Sequence, residues 1–173
     1  RKGFVQGYNS QIMVTEDQFV VAADVFQDGN DVGLLEPMLA STLANLEAVG
    51  IEETPKALAA DAGYWKESLP VEKIEESGPE LFVATKKDWK QRKELRERGA
   101  PRGRMPKGLS RREKMERKLL TKRGFDVYRL RGQAAEAPFG HIKGALGAGS
   151  FSLRGLDLVS GEWLLTCAVH NLK

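Results

Sequence analysis

Two carboxylates and a lysine stand out as groups that could share one piece of chemistry. In AEAPFGHIKGALG, residues 135–147, Glu136 lies among alanines and Lys143 follows seven residues later. At about 100° per residue that interval is about 700°, within about 20° of two full turns, so on a helix the two charges share a face. Tyr128 and Arg131 stand just upstream, a ring and a planar fork that can both reach phosphate oxygens. Asp61 closes the apolar run Leu58–Ala60, where a side chain leaves a sheet edge at the place α/β proteins use for ligands. Separate carboxylates that converge among basic groups are what two-metal phosphoryl transfer requires, and Mg²⁺ takes a few hard oxygens while keeping other positions for water and phosphate. Plainer readings stand beside these. Glu136 and Lys143 can be two solvated charges on a helix, and Asp61 before Ala62-Gly63 can bond its own backbone in a turn. Asp24 is equally ambiguous, and Asp31 is better read as a helix cap. There is no Gly-rich nucleotide loop and no serine-hydrolase elbow, and His141 and His170 are not spaced for a metal. His170 reads as a packed or capping residue; for His141, two residues before Lys143, a nucleic-acid contact is the weaker reading.

The 173 residues suffice for one domain with a real core, and 41% hydrophobic with 29% charged is globular composition. No apolar run approaches the roughly 20 residues of a membrane span, so a soluble chain with no membrane partner is expected. The single cysteine, Cys167, excludes an internal disulfide framework and a Cys-rich zinc site, and points to an intracellular setting. The chain opens on Arg1 inside a strand-like pattern and stops inside a helical one, with no signal peptide, which predicts a piece of a longer protein. The net charge of +3 is very uneven: Lys86 to Arg123 holds 17 Lys and Arg against 5 Asp and Glu, a net +12, and the rest carries −9. A basic segment in an acidic domain suits a polyanion, with Arg111, Arg112, Lys114 and Lys118 as candidate phosphate contacts, or else a solvated arm.

Residues 4–15 and 18–25, rich in Val, Ile, Phe and Tyr, read as an antiparallel hairpin. Leu35, Leu39, Leu43, Leu46 and Val49 mark an amphipathic helix that has Pro37 in its first turn and stops at Gly50. Leu58–Ala60 and Leu81–Ala84 suit short buried strands, with a helix at 71–76 between them that ends at Gly78. The order predicts one mixed sheet covered by helices. The basic segment breaks the alternation: a charged helix over 86–98, a Gly/Pro loop over 99–109, then a capping box at Ser110 and Glu113 that opens a helix through Lys122, stopped by Gly124. Two further helices are predicted over 133–146 and 156–172, the latter burying Leu156, Val159, Trp163 and His170 with Cys167 nearby.

Four stretches in order, GFVQGYNSQIMVT, AADAGYW, YRLRGQAAEAPFGHIK and SLRGLDLVSGEWLLTCAVHNL, resemble the DDE-type transposases of bacterial insertion sequences. The resemblance covers nearly the whole chain, with the basic segment least secure. It implies the C-terminal part of an RNase H-like catalytic domain spanning 1–173, missing its first strand region and carrying a basic insertion at about 86–123. It further implies three acidic residues binding two Mg²⁺ (or Mn²⁺) ions, which activate water and later a DNA 3′ hydroxyl for in-line attack. By motif, Asp61 and Glu136 are two of the three; the first acid belongs on a strand ahead of GYNSQ. Lys143 takes the place of a helix lysine gripping the DNA backbone, with Tyr128 and Arg131 beside it. Double-stranded DNA, a homodimer in the full-length protein and a bacterial, nucleoid-associated cytoplasmic setting follow from the same resemblance. In a related signature, Tyr-x2-Arg-x3-Glu-x6-Lys, the arginine precedes the glutamate by four residues, where this chain has Gly132, and GALGAGSF after Lys143 lacks expected arginines. Cleavage and strand transfer are the expected reactions, with an inactive fragment; a non-catalytic DNA-binding remnant and a nuclease that cuts without joining are the alternatives.

Overall fold

A computed structural model describes residues 7–87, 90, 93–94, 96–97 and 99–173. It is a mixed α/β structure that divides into two compact units, Arg1–Glu52 with Gln133–Lys173, and Glu53–Gly132.

The first unit is built on the predicted hairpin. Strand β1 (Asn9–Val14) runs antiparallel to β2 (Val20–Phe26), pairing Asn9 with Phe26 and Met13 with Ala22, with an irregularity at Met13/Val14. The turn closes through Thr15, whose N–H donates to Phe19 O at 2.9 Å and whose hydroxyl accepts the Phe19 N–H at 3.1 Å. Gln18 adopts φ 69°, a left-handed conformation uncommon for a residue with a side chain. Residues 4–6 of the expected hairpin lie outside the described residues. Helix α1 (Leu35–Ala48) buries Leu35, Met38, Leu39 and Thr42. Val49, expected on the same stripe, is exposed because the helix has already ended there. It ends as Gly50 predicts: Gly50 at φ 78° donates to Glu47 O, and Ile51 donates to Leu46 O, both at 2.9 Å, which satisfies carbonyls the helix leaves open. Asp31 does not cap this helix; its N-cap position is Leu34, with no side-chain bond. Asp31 Oδ1 instead accepts from Asn9 Nδ2 at 3.0 Å and Gln11 Nε2 at 2.8 Å, two amides at the start of β1.

The core of this unit lies between the hairpin and the C-terminal helix (Leu156–Asn171). Val20, Ala23 and Val25 from β2 meet Val159, Trp163 and Cys167 from that helix, together with Ile142. Trp163 fixes the register by donating its indole N–H to Gln11 O at 3.0 Å, which satisfies a polar group that would otherwise be costly to bury. Asn171 grips the other end: its amide accepts the Val20 N–H and donates to Val20 O, each at 2.8 Å. The expected stripe is buried at Val159, Trp163, Cys167 and His170, whereas Leu156 is exposed.

The second unit holds β3 (Ala57–Ala60) and β4 (Glu80–Val83), paired in parallel from Ala57↔Glu80 to Ala60↔Val83. Helix α2 (Val71–Ser77) lies in the crossover between them. Leu81, Phe82, Val83 and Ala84 are fully buried, as an apolar run of this length demands. The expected single mixed sheet is met only in part: among the described residues the four strands form two two-stranded sheets, one antiparallel and one parallel.

Helix α3 (Arg111–Leu120) opens with the predicted capping box. The Ser110 hydroxyl accepts the Glu113 N–H at 3.2 Å, and the Glu113 carboxylate accepts the Ser110 N–H at 2.8 Å. It buries Met115 and Leu119. Of the charged helix expected at 86–98, residues 88–89, 91–92, 95 and 98 lie outside the described residues, and 90, 93–94 and 96–97 are helical.

The largest departure follows α3. The chain breaks at Thr121, which is extended (φ −66°, ψ 158°), and then enters helix α4 (Lys122–Gly144), 23 residues long. Gly124 therefore does not stop a helix; it sits in the first turn of one. Its N–H donates to the Thr121 hydroxyl at 3.0 Å, an N-cap, and its missing side chain is what lets the two helices meet so closely. A Cβ at Gly124 would stand 2.2 Å from Lys118 O and 2.9 Å from Leu119 Cα. The final helix is α5 (Leu156–Asn171).

Candidate active site and nucleic-acid-binding residues

Asp61 directly follows β3 and is partly exposed. Its Oδ1 accepts the Gly63 N–H at 2.8 Å, so the turn that AspAlaGly spells is formed. Its Oδ2 lies 3.8 Å from Arg131 Nη1. Two of the motif stretches, 70 residues apart in the chain, are thus joined within the second unit. With the Asp61 side chain 44% exposed and that of Arg131 16% exposed, the pair orients the arginine more than it stabilises the fold. Arg131 also lies over the ring of Tyr128, its Cζ 5.4 Å from the centroid. Tyr128 is buried, so in this structure its ring supports Arg131 and does not face solvent.

Glu136 and Lys143 both belong to α4, so their seven-residue interval is realised as helix, with an axial rise of about 10.5 Å. Both are exposed. Lys143 Nζ rests 5.3 Å from the centre of the Phe139 ring, one turn back. Glu136 makes no hydrogen bond or ion pair with the described residues, leaving its two oxygens open. Exposed carboxylate oxygens of this kind are the donors a hard divalent cation takes, so Glu136 fits such an ion by donor type, whereas both Asp61 oxygens already face partners, Gly63 N–H and Arg131. Among the described residues no group of three or more His, Cys, Asp or Glu is gathered in one place.

The four basic residues of α3 differ sharply in surroundings. Arg112 donates to Thr85 O at 2.8 Å and to Glu116 Oε1 at 3.2 Å. Arg111 pairs with Glu72 at 3.5 Å, both side chains about half exposed. Lys118 is held between Glu75 and Glu80 and sits 4.7 Å over the Phe82 ring. Lys114 is exposed, with no carboxylate among the described residues paired to it. A second cluster joins Lys86 to Glu94 at 2.6 Å and to Glu116 at 3.1 Å. Burial alone would raise the Glu116 carboxyl, but the Thr85 hydroxyl, Lys86 and Arg112 outweigh it and hold the group below the usual carboxylate range. Desolvation would lower Lys86, and Glu94 with Glu116 reverse it, so its ammonium is held above the ordinary lysine value.

Sequence reasoning missed Arg117. Its guanidinium Nη2 donates to Arg102 O at 2.8 Å and also faces Gly103 O and Arg104 O at 3.5 and 3.4 Å. Gly103, at φ 79°, lets these consecutive carbonyls converge. The exposed Arg102 and Arg104 side chains are therefore carried on a loop fastened to α3. A lone arginine inside a basic run gives no sequence signal for such a role.

The histidines form a pair, His141 Nδ1 to His170 Nδ1, at 3.0 Å. His170 is fully buried, and its Nε2 lies 3.0 Å from Gln18 O. Since a carbonyl only accepts, His170 carries its proton on Nε2 and accepts through Nδ1, so His141 donates from Nδ1. Burial, Lys173 and His170 keep His141 below the ordinary imidazole value. His170 is the packed residue the sequence suggests, and His141 is engaged with it. Cys167, desolvated in the core, has its thiol pushed up to about 12 and is inert at neutral pH.

Residues 105–173 match the family described as Transposase DDE domain. The matched segment contains Tyr128, Arg131, Glu136 and Lys143, and the match supports a DDE-type transposase, an enzyme with a transposition-related function and a DNA partner. No curated protein and no solved structure matches the chain. No helix among the described residues is long and apolar enough to cross a membrane.

Proposed function

We propose that this chain, a DDE-type transposase by the match of its last 69 residues, is part of an RNase H-like catalytic domain that cuts and joins DNA at insertion-sequence ends. The observation that supports the reading is the Asp61–Arg131 contact of 3.8 Å, which joins the AADAGYW stretch to the start of the YRLRGQAAEAPFGHIK stretch within the second unit. In this reading Asp61 and Glu136 would hold two divalent ions, Mg²⁺ or Mn²⁺, with the third carboxylate supplied from ahead of GYNSQ. When bound, such ions lower the pKa of a ligated water and neutralise developing charge on the phosphate. The chain's own residues bind and orient. Lys143, exposed one turn after Phe139, contacts backbone phosphate; Arg131, seated on Tyr128, neutralises and positions the Asp61 carboxylate; Arg102, Arg104 and Lys114 supply solvated positive charge.

The test is Mg²⁺-dependent nicking and strand transfer by the full-length protein on element-end DNA. Asp61→Asn and Glu136→Gln should each abolish cleavage by several powers of ten, and the 173 residues alone should not cut. Cleavage that survives both substitutions would sink the assignment. Cutting without joining would leave a nuclease. A second reading, a DNA-binding remnant without catalysis, is favoured by one observation: the Asp61 carboxylate is already occupied by Gly63 and Arg131. Full-length protein that binds DNA but never cuts it would establish that reading.

A further inference from the structure

The loop from Gly99 to Leu109 carries Arg102, Arg104 and Lys107 and no acidic residue. All three cations are exposed, and none pairs with a carboxylate of the described residues. Its shape sets it apart from the basic helix that follows. Arg102 and Arg104 flank Gly103, which stands at φ 79°, and Pro101 and Pro106 lie outside them. The prolines restrict the backbone on both sides, and the left-handed glycine turns it between the arginines. Arg117 of α3 fastens the turn from the protein side, through Arg102 O at 2.8 Å, with Gly103 O and Arg104 O at 3.5 and 3.4 Å. Three consecutive carbonyls are thereby gathered toward α3. A Cβ at Gly103 would meet nothing within 4 Å, so the turn is open there.

We propose that this loop enters the minor groove of A·T-rich duplex DNA and reads it through Arg102 and Arg104. The inference rests on the DNA partner of the reading above and adds a sequence preference to it. The minor groove is about 6 Å wide and the major groove about 12 Å. A turn with glycine between its arginines is one backbone thick, narrow enough for the first groove and too thin to fill the second. Two residues of chain span at most about 7 Å, or about two base-pair steps of about 3.4 Å, so both guanidiniums can lie along one stretch of groove. A·T tracts narrow the groove and concentrate its negative potential, which draws in arginine, a cation more weakly hydrated than an ammonium. Carbonyl oxygens facing that potential would be repelled, and Arg117 holds those of this turn on the α3 side. In G·C pairs the guanine amino group projects into the minor groove and obstructs the same approach.

The experiment is fluorescence anisotropy of the 173-residue chain on three duplexes of equal length, with A·T, G·C or inosine·cytosine cores. Inosine·cytosine keeps the major-groove groups of G·C but lacks the amino group in the minor groove. The expected result is binding to the A·T core about tenfold tighter than to G·C, the scale of one discriminating contact to a base edge, with inosine·cytosine regaining most of that gain. The discriminating variant is Arg102→Lys with Arg104→Lys, its fold checked by circular dichroism. Lysine keeps the charge but not the weakly hydrated fork, so the A·T preference should be largely lost. Arg117→Ala, which releases the turn and leaves its arginines in place, should lower the same ratio. Equal affinity for the A·T and G·C cores overturns the proposal and leaves the DNA partner standing. Inosine·cytosine bound like G·C overturns it by placing the contact in the major groove, and a preference that survives the double lysine variant overturns it by placing the reader elsewhere. A chain that binds none of the three duplexes overturns both this proposal and the DNA partner it rests on.

Discussion

Replacing Gly124 by alanine pits two effects of known size against each other. Gly124 lies in the first turn of α4, and helix propensity alone would make alanine better there by about 1 kcal/mol. The added Cβ, however, would stand 2.2 Å from Lys118 O, 2.9 Å from Leu119 Cα and 3.0 Å from Lys118 C. Nonbonded heavy atoms are most favourable near about 3.5 Å. All three neighbours are backbone atoms in or at the end of α3, so no side-chain rotation relieves the contact. The junction must open, which loosens the Thr121 cap and the packing of Leu119, a residue fully buried in the second unit. Overpacking of this kind costs about 1–3 kcal/mol, and an immovable neighbour places it at the upper end. The net expectation is a loss of about 1–2 kcal/mol. Gly140, in the same helix with nothing within 4 Å of a Cβ, is the control, and alanine there should gain up to about 1 kcal/mol. Urea denaturation of both variants should then separate their midpoints by about 0.3–3 M, the difference of about 1–3 kcal/mol divided by a slope of about 1–3 kcal/mol per M. If Gly124→Ala is as stable as Gly140→Ala, the close approach of α3 and α4 described above is wrong.

Three further outcomes follow from the charge arrangement. Glu116, held below its unfolded value, contributes stability that is present above the usual carboxylate pKa and lost as pH falls through its folded pKa; Glu116→Gln should shrink that acid-side loss, read from thermal melts between about pH 6 and 3. Lys114→Ala should reduce the logarithmic salt slope of DNA binding by about 0.9, whereas Lys118→Ala, which unpairs Glu75 and leaves Glu80 to Arg123 alone, should lower stability and leave the slope nearly unchanged, as filter binding and melting would show. His141 should titrate below 6.5 by NMR; because its folded value is depressed, the associated stability is present above the unfolded pKa and lost as pH falls, and a value above 6.5 would contradict the pairing with His170.

What could be read from the sequence, and what could not, divides by the range of the interaction. The hairpin, the Gly50 stop, the Ser110–Glu113 box and the buried side of α5 all arise from residues within about four positions of one another, and period or cap chemistry reveals them. The partners of the basic segment do not. Lys118 meets Glu75 and Arg123 meets Glu80, each 43 residues away, so a segment that counts as +12 in one dimension is partly neutralised in the fold. Asp31 misled for the same reason: Asn-Asp before a helix is a good local cap signal, but the side chain was claimed by Asn9 and Gln11, more than 19 residues upstream. Gly124 misled because a glycine stops a helix or admits a neighbour with the same letter, and only the third dimension says which.

The one-residue departure at Arg131 has a geometric consequence in this helix. Seven residues place Lys143 about 20° from the direction of Glu136, but five residues place Arg131 about 140° from it, where a spacing of four would leave about 40°. Arg131 and Tyr128, about 60° apart, leave α4 on its packed side, which is why the arginine lies against Asp61 and the tyrosine ring rather than in solvent with Glu136. The arginine of this chain is therefore a partner of the aspartate, and the exposed guanidinium that shares the direction of Glu136 is that of Arg129, seven residues before it. Moving the arginine by one position tests this. The double substitution Arg131→Ala, Gly132→Arg should steepen the salt slope of DNA binding by about 0.9, because a charge leaves a buried contact and joins Lys143 on the solvated side. The loss of the Asp61 pair, which is partly screened, should cost no more than about 1 kcal/mol in the same protein. A slope that stays flat, with the fold intact, would show that this side of α4 does not meet phosphate, and the role given to Lys143 would fall with it.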